Sequence, residues 1–151
     1  MPEAGDIAPT FELPNQDGDT VSLGDYKGQP IVLYFYPRAD TPGCTTEACS
    51  FRDNWDAYAE ANVVVFGISD DPVDDIAAFK EKYDLPFDLL SDEDGSVASA
   101  YDSYGEKVVF GNHVEGTFRN TYVVGSEGNI TEVFEGVDPE KHAKEVLSVI
   151  K

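Results

Sequence analysis

The stretch Tyr34–Trp55, YFYPRADTPGCTTEACSFRDNW, holds both cysteines of the chain, five positions apart. It opens on the end of a short apolar run, PIVLYFYP (30–37), rich in branched and aromatic residues and bounded by prolines, which reads as a buried strand. After Pro37 a turn is expected, then a helix from about Pro42 to Glu60. Thr41-Pro42 has the form of a helix start. Thr41 is the N-cap, and Pro42 takes the first helical position, where a missing N–H costs nothing. Cys44 then falls in the first turn, facing unpaired backbone N–H groups and the positive end of the helix dipole. Both favour the thiolate, which is the nucleophilic form of the side chain. A small buried hydrophobe is the other reading of such a cysteine.

Cys49 is one helical step of five residues further on, a rotation of roughly 140° and a rise of ~7.5 Å. The two Cα atoms would lie about 8–9 Å apart, beyond the ~7 Å limit for a disulfide, with side chains on different faces. A Cys44–Cys49 bond therefore requires the first helical turns to unwind. Either Cys49 is helix filler beside Ala48, or the pair is a redox couple built on a conformational switch.

Working outward, 151 residues predict a single domain spanning 1–151, with 41% hydrophobic residues to build a core. TFELPNQDGDTVSL (10–23) alternates around Asp17-Gly18 as a hairpin. NVVVFGIS (62–69) reads as a second buried strand, and DPVDDIAAFKEKYD (71–84) as a helix with Pro72 near its first turn. PFDLLSD (86–92) predicts a short strand and DEDGSVASAYDSYG (92–105) a short helix. RNTYVVGSEGNITEVFEG (119–136) predicts two strands around Gly125–Gly128. DPEKHAKEVLSVIK (138–151) predicts a closing amphipathic helix capped by Asp138 with Pro139 at its first position. Strands alternating with helices imply an α/β domain with parallel pairing, and the late strand-turn-strand adds antiparallel strands, so the central sheet is mixed. In such sheets chemistry gathers where strand C-termini meet helices, which is where the quoted stretch lies.

Thirty acidic residues against ten basic ones give a net charge of −20, a field that disfavours nucleic acid and anionic membranes. The acids are dispersed between patterned apolar segments, as on a solvated surface, and a very salty cytosol would screen their repulsion. The N-terminus lacks the basic and apolar regions of a secretory signal, and no apolar run approaches the ~20 residues of a membrane span, so a soluble cytoplasmic protein is expected. Cytosolic disulfides tend to be transient and catalytic, which favours a redox couple over a staple. Among the three arginines, Arg38 and Arg52 flank the cysteines, and Arg119 could reach them only if its strand neighbours IVLYFY. His113 and His142 are too scattered for zinc, and C-x4-C lacks a second ligand pair. No dinucleotide, phosphate-loop or serine-nucleophile pattern is present.

Pro37-x-x-x-Thr41-x-x-Cys44 resembles the peroxiredoxin active-site signature. DTPGCTTEAC resembles the peroxiredoxin Q group, also called bacterioferritin comigratory protein. The likeness runs through YFYP, FRD, ISDDP, FKEKYDLPFDLLSDEDG and TFRNTYVVGSEGNI to the last helix. It implies a thioredoxin-like fold and a thiol-dependent peroxidase acting on hydrogen peroxide and organic hydroperoxides, without metal or organic cofactor, recycled by thioredoxin or a similar dithiol protein. Cys44 matches the peroxidatic cysteine and Cys49 the resolving one. Thr41 matches the hydroxyl that orients peroxide, Pro37 the pocket shield, Arg119 the strand arginine, and Glu47 a helix carboxylate that supports an arginine. SYGEKVVFGNHVEG (103–116) departs from the pattern and is expected to shape the pocket mouth. A monomer is expected. Two other readings compete: a general thiol–disulfide oxidoreductase, which would normally carry C-x-x-C, and a non-enzymatic acidic binding module, which would not need the cysteines.

Overall fold

The computed structural model describes residues 2–109 and 111–150, without the side chains of residues 107–109, 113 and 114. The predicted strands at 30–37 and 62–69 form as β3 (Ile31–Phe35) and β4 (Val64–Ser69), parallel neighbours at the centre of a five-stranded sheet. The remaining strands of that sheet are β5 (Asp88–Ser91), β8 (Thr121–Val124) and β9 (Ile130–Phe134), in the order β5-β4-β3-β8-β9. β4 and β5 continue the parallel half; β8 and β9 run antiparallel, so the sheet is mixed as expected. The early hairpin is β1 (Glu12–Pro14) and β2 (Thr20–Ser22). Its turn is held by Asn15, whose Oδ1 accepts the N–H groups of Asp17 and Asp19, with Gly18 in a left-handed conformation.

Every residue of β3 is buried, because layers cover both faces of the sheet. The two-residue period of a strand then sorts its side chains. Val32 and Tyr34 join a core with Phe51, Tyr58, Ile76, Phe79 and Val146, beneath α1 (Pro42–Asp53), α2 (Trp55–Glu60), α3 (Val73–Tyr83) and α5 (His142–Ile150). Ile31, Leu33 and Phe35 join the opposite core with the β1–β2 hairpin and α4 (Ser96–Ala100).

Three helix boundaries differ from expectation. The single helix predicted over 42–60 is broken at Asn54, whose side-chain amide donates to Ser50 O at 2.8 Å and whose backbone leaves the helical region. A short amide side chain competes with the helix ladder in this way. Pro72 caps α3 next to its first turn as expected, whereas the helix predicted over 92–105 is confined to Ser96–Ala100, beginning after Gly95 in the left-handed region. The last helix begins at His142: Asp138 Oδ1 accepts the Glu140 N–H in a local turn, and Pro139 lies in that turn. The segment 103–116 contributes a separate antiparallel hairpin, β6 (Tyr104–Val109) with β7 (Asn112–Thr117).

Gly67 of β4 lets side chains from both neighbouring strands close over it. A Cβ there would lie 2.7 Å from the Tyr34 hydroxyl oxygen and 2.9 Å from Leu89 Cδ2, both fully buried. Overpacking of this kind costs about 1–3 kcal/mol. Gly67→Ala is therefore expected to lower the unfolding free energy by that amount, read in urea as a lower midpoint at unchanged m-value.

Candidate active site

α1 starts at Pro42, so Cys44 occupies the first turn as its spacing predicted. The junction that delivers it is pinned twice. Asp71, wholly buried after β4, accepts the Ala39 N–H at 2.7 Å and the Ser69 hydroxyl at 2.8 Å, and its other oxygen faces Arg38 Nη1 at 3.6 Å. Asp40, in the left-handed region, accepts from Lys82 Nζ at 2.8 Å and from the Tyr83 hydroxyl at 2.7 Å. Those donors hold its carboxyl below the ordinary range. Neither aspartate was singled out in the sequence, where ISDDP and PRAD look like ordinary acidic turns. Thr41 is the N-cap by position, but its hydroxyl donates to Arg38 O at 2.9 Å instead of capping the helix. Thr41 thus closes the loop rather than the helix end.

The question of whether Arg119 reaches the cysteine is answered by strand order. β8 lies beside β3, with Thr121 opposite Tyr34, and the Phe35 N–H donates to Asn120 O at 2.8 Å. Arg119 is thereby set at the C-terminal end of β3, next to the start of α1. Its carbonyl accepts from Val137 N, while Asn120 Nδ2 donates to Ser103 Oγ and Asn120 Oδ1 accepts from Gly136 N. From this mounting Arg119 Nη2 lies 3.4 Å from Cys44 Sγ and Nη1 lies 2.9 Å from Glu47 Oε1. Gly43 makes the approach possible, since a Cβ there would be 3.1 Å from Nη2. That glycine, quoted in the sequence but given no role, is a steric requirement of the site.

The electrostatics follow from burial. Cys44 is 1% exposed and Glu47 is fully buried. Burial pushes the Glu47 carboxyl up to about 7 against the pull of Arg119, and Glu47 Oε2 has no hydrogen-bond partner among the described residues. Arg119 is itself desolvated, yet the negative charges of Cys44 and Glu47 outweigh this and hold it more firmly protonated than usual. The site is one cation between a thiol and a buried carboxyl.

Cys49 is half-buried on a different side of α1. With Thr45, Ser50, Glu140 and Lys144 it lines a groove of about 500 Å³ between α1 and the start of α5. Burial raises its thiol above the ordinary range, so in the wound helix Cys49 stays protonated. Both cysteines are free, as a regular helix requires. Pro37 sits with Phe118, Arg119, Asn120, Asp102, Glu135 and Gly136 around a second cleft of about 540 Å³. The β6–β7 hairpin reaches this cleft through the residues at its base, Asp102 and Phe118. His142 is a core residue: Nε2 lies 2.7 Å from Thr121 Oγ1, Nδ1 lies 3.1 Å from Glu145 Oε1, and burial lowers its proton affinity. The side chain of His113 lies outside the described residues.

Comparison with known proteins agrees with this arrangement. The AhpC/TSA family model matches residues 4–133. Peroxiredoxin Bcp of Escherichia coli K12 is 44% identical over 149 residues, covering 99% of this chain and 96% of its own length. Peroxiredoxin Bcp of Bacillus subtilis is also 44% identical over 149 residues, covering 99% and 95%. Among solved structures, peroxidoxin BcpB of Mycobacterium tuberculosis superposes with a TM-score of 0.89 at 35% identity, covering 99% of this chain and 97% of its own. The bacterioferritin comigratory protein of Xanthomonas campestris superposes at 0.90 with 31% identity, covering 98% and 97%. With its thioredoxin-like mixed sheet and a first-turn cysteine beside an arginine that lies just ahead of β8 rather than within a strand, the chain belongs to the AhpC/TSA family, among its Bcp-type peroxiredoxins.

Proposed function

We propose that this protein is a thiol-dependent peroxidase in which Cys44 is the peroxidatic and Cys49 the resolving cysteine. The observation that carries the assignment is Arg119 set between Cys44 Sγ and Glu47 Oε1 at the mouth of α1. A guanidinium there favours the thiolate and offers a fixed donor to an anion formed beside it. The Cys44 thiolate attacks one oxygen of a hydroperoxide; the S–O bond forms, the O–O bond breaks, and the departing oxygen takes a proton and leaves as water or an alcohol. Arg119 and the first-turn N–H groups stabilise the charge on that departing oxygen. Pro37 shields the cleft from water, and Thr41, fixed to Arg38 O, presents its oxygen to the peroxide proton.

Cys44 is then a sulfenic acid, which a thiol converts to a disulfide. After the first turns of α1 unwind, the Cys49 thiolate attacks the sulfenic sulfur. The S–S bond forms, oxygen leaves as water, Cys49 is oxidised and the sulfenic sulfur is reduced. A dithiol protein of the thioredoxin kind restores both thiols by exchange. One chain carries both cysteines, so the cycle is complete in a monomer, and a reducing cytoplasm would supply the dithiol. No helix among the described residues is long and apolar enough to cross a membrane. The substrates inferred are hydrogen peroxide and organic hydroperoxides; the Xanthomonas relative is described by its alkyl peroxide reduction activity. A general disulfide oxidoreductase is the weaker reading, because the two thiols face different sides of an intact helix.

Cys44→Ser is expected to abolish peroxide consumption. Cys49→Ser is expected to complete one turnover and hold Cys44 as a sulfenic acid, seen by mass spectrometry as one added oxygen; full turnover by Cys44→Ser would refute the assignment. Gly43→Ala should push Arg119 away from the sulfur. Loss of a charge-assisted hydrogen bond of about 1.5–3 kcal/mol corresponds to a fall of about 10- to 100-fold in the peroxide rate constant.

A further inference from the structure

Closing the Cys44–Cys49 bond requires the backbone between them to leave the helix, and Glu47 lies inside that segment. Beyond it α1 is bolted down. Ser50 Oγ donates to Glu140 O at 3.4 Å and Arg52 Nη1 donates to Tyr83 O at 2.8 Å. Phe51, fully buried, packs on the rings of Tyr34, Tyr58, Phe87 and His142. Ahead of Cys49 the side-chain bonds from α1 to the rest of the protein, among the described residues, are those of Cys44 and Glu47 to Arg119. Thr46 bonds within the helix, to Pro42 O. Cys44 and Ala48 also pack in the core, and the loop before α1 is pinned at Ala39 and Asp40, so unwinding is confined between that loop and Ser50.

Oxidation acts on one of these two contacts, since a sulfenic acid lacks the thiolate charge that draws Arg119. Glu47 is left, dry, with one carboxyl oxygen unpartnered. A buried carboxylate in that state gains solvation when released to water, whereas a neutral carboxyl gains little. We propose that Glu47 is the trigger of the redox switch: ionised, it drives the first turns of α1 to unwind after Cys44 is oxidised, and protonated, it leaves them wound. The proposal rests on the peroxidase reading above.

The charged and titratable groups around Glu47 leave it as the one that changes state near neutrality during resolution. Cys44 on its own helix is by then oxidised, and Arg119 stays cationic. Tyr34 of β3 and Tyr36 just beyond it are held protonated by burial, and His142 of α5 is held neutral by burial. In the wound helix Glu47 is pushed up to about 7; released to water it returns to the ordinary range near ~4.3. The wound form thus binds a proton that the unwound form gives up. Its extra stability is full below the ordinary range and is lost as pH rises through about 7.

The test follows one turnover of the protein with one equivalent of hydrogen peroxide, quenched by alkylation, reading conversion of sulfenic acid to disulfide. Wild type, Glu47→Gln and Glu47→Asp are compared from about pH 5 to about pH 8. Cys49 must ionise in every variant, so the ratio of wild-type to Gln rate removes that common factor. The ratio is expected to rise by about tenfold or more between the acid end and the alkaline end, with Asp retaining the rise. A ratio that stays flat, or a Gln variant that resolves faster than wild type, overturns the proposal. Amide exchange in the wild-type protein gives a second reading: protection of residues 43–48, relative to 51–60, should fall through about pH 7, and constancy overturns the proposal. Failure of the peroxidase reading would look different, as no sulfenic acid would form on Cys44 in Cys49→Ser.

Discussion

Arg119 holds the thiol and the carboxyl of one helix with one guanidinium. Nη2 reaches Cys44 Sγ and Nη1 reaches Glu47 Oε1, in a place where both partners are almost fully removed from water. Low dielectric makes such contacts strong when complete and costly when broken. The antiparallel seating of β8 on β3 brings the arginine to the strand's end. Asp71 and Asp40 hold the loop that launches α1, and Gly43 leaves room for the guanidinium.

The same helix has to be firm for the first step and soft for the second. Ahead of Cys49 its polar side-chain anchors are two contacts to a single residue, beside the small buried side chains of Cys44 and Ala48, while behind Cys49 an aromatic cluster and backbone carbonyls hold it. A nucleophile in the first turn needs exact placement against Arg119, yet the disulfide needs that turn to dissolve. Concentrating the anchors of the first half on one side chain lets a change of charge at the sulfur alter the balance, without disturbing the core under Phe51.

The 30 acidic residues divide sharply by environment. Most are solvated, but three carboxylates, Glu47, Asp71 and Asp92, are buried among the described residues. Each has a specific partner: Arg119 for Glu47, the Ala39 N–H for Asp71, and the Val97 and Ala98 N–H groups for Asp92. Nothing in the local pattern of TTEAC, SDDP or LSDED separates these from the solvated acids. The peroxiredoxin resemblance pointed to Glu47; Asp71 and Asp92 were not singled out, because burial is decided by what packs on a segment from elsewhere.

Local chemistry was legible where it depended on neighbours in the chain. The proline-bounded run of branched and aromatic residues determined β3, Thr41-Pro42 determined the start of α1, and their spacing put Cys44 in its first turn and Cys49 on another side. The break at Asn54 and the β6–β7 hairpin were not read, the first because a side-chain amide competed with the ladder, the second because that segment was read only as a departure from the family pattern that shapes the pocket mouth. What tertiary structure alone decided is the meeting of Arg119 with Cys44, 75 positions apart, since a helical step constrains five residues whereas strand order in a sheet is a property of the whole fold.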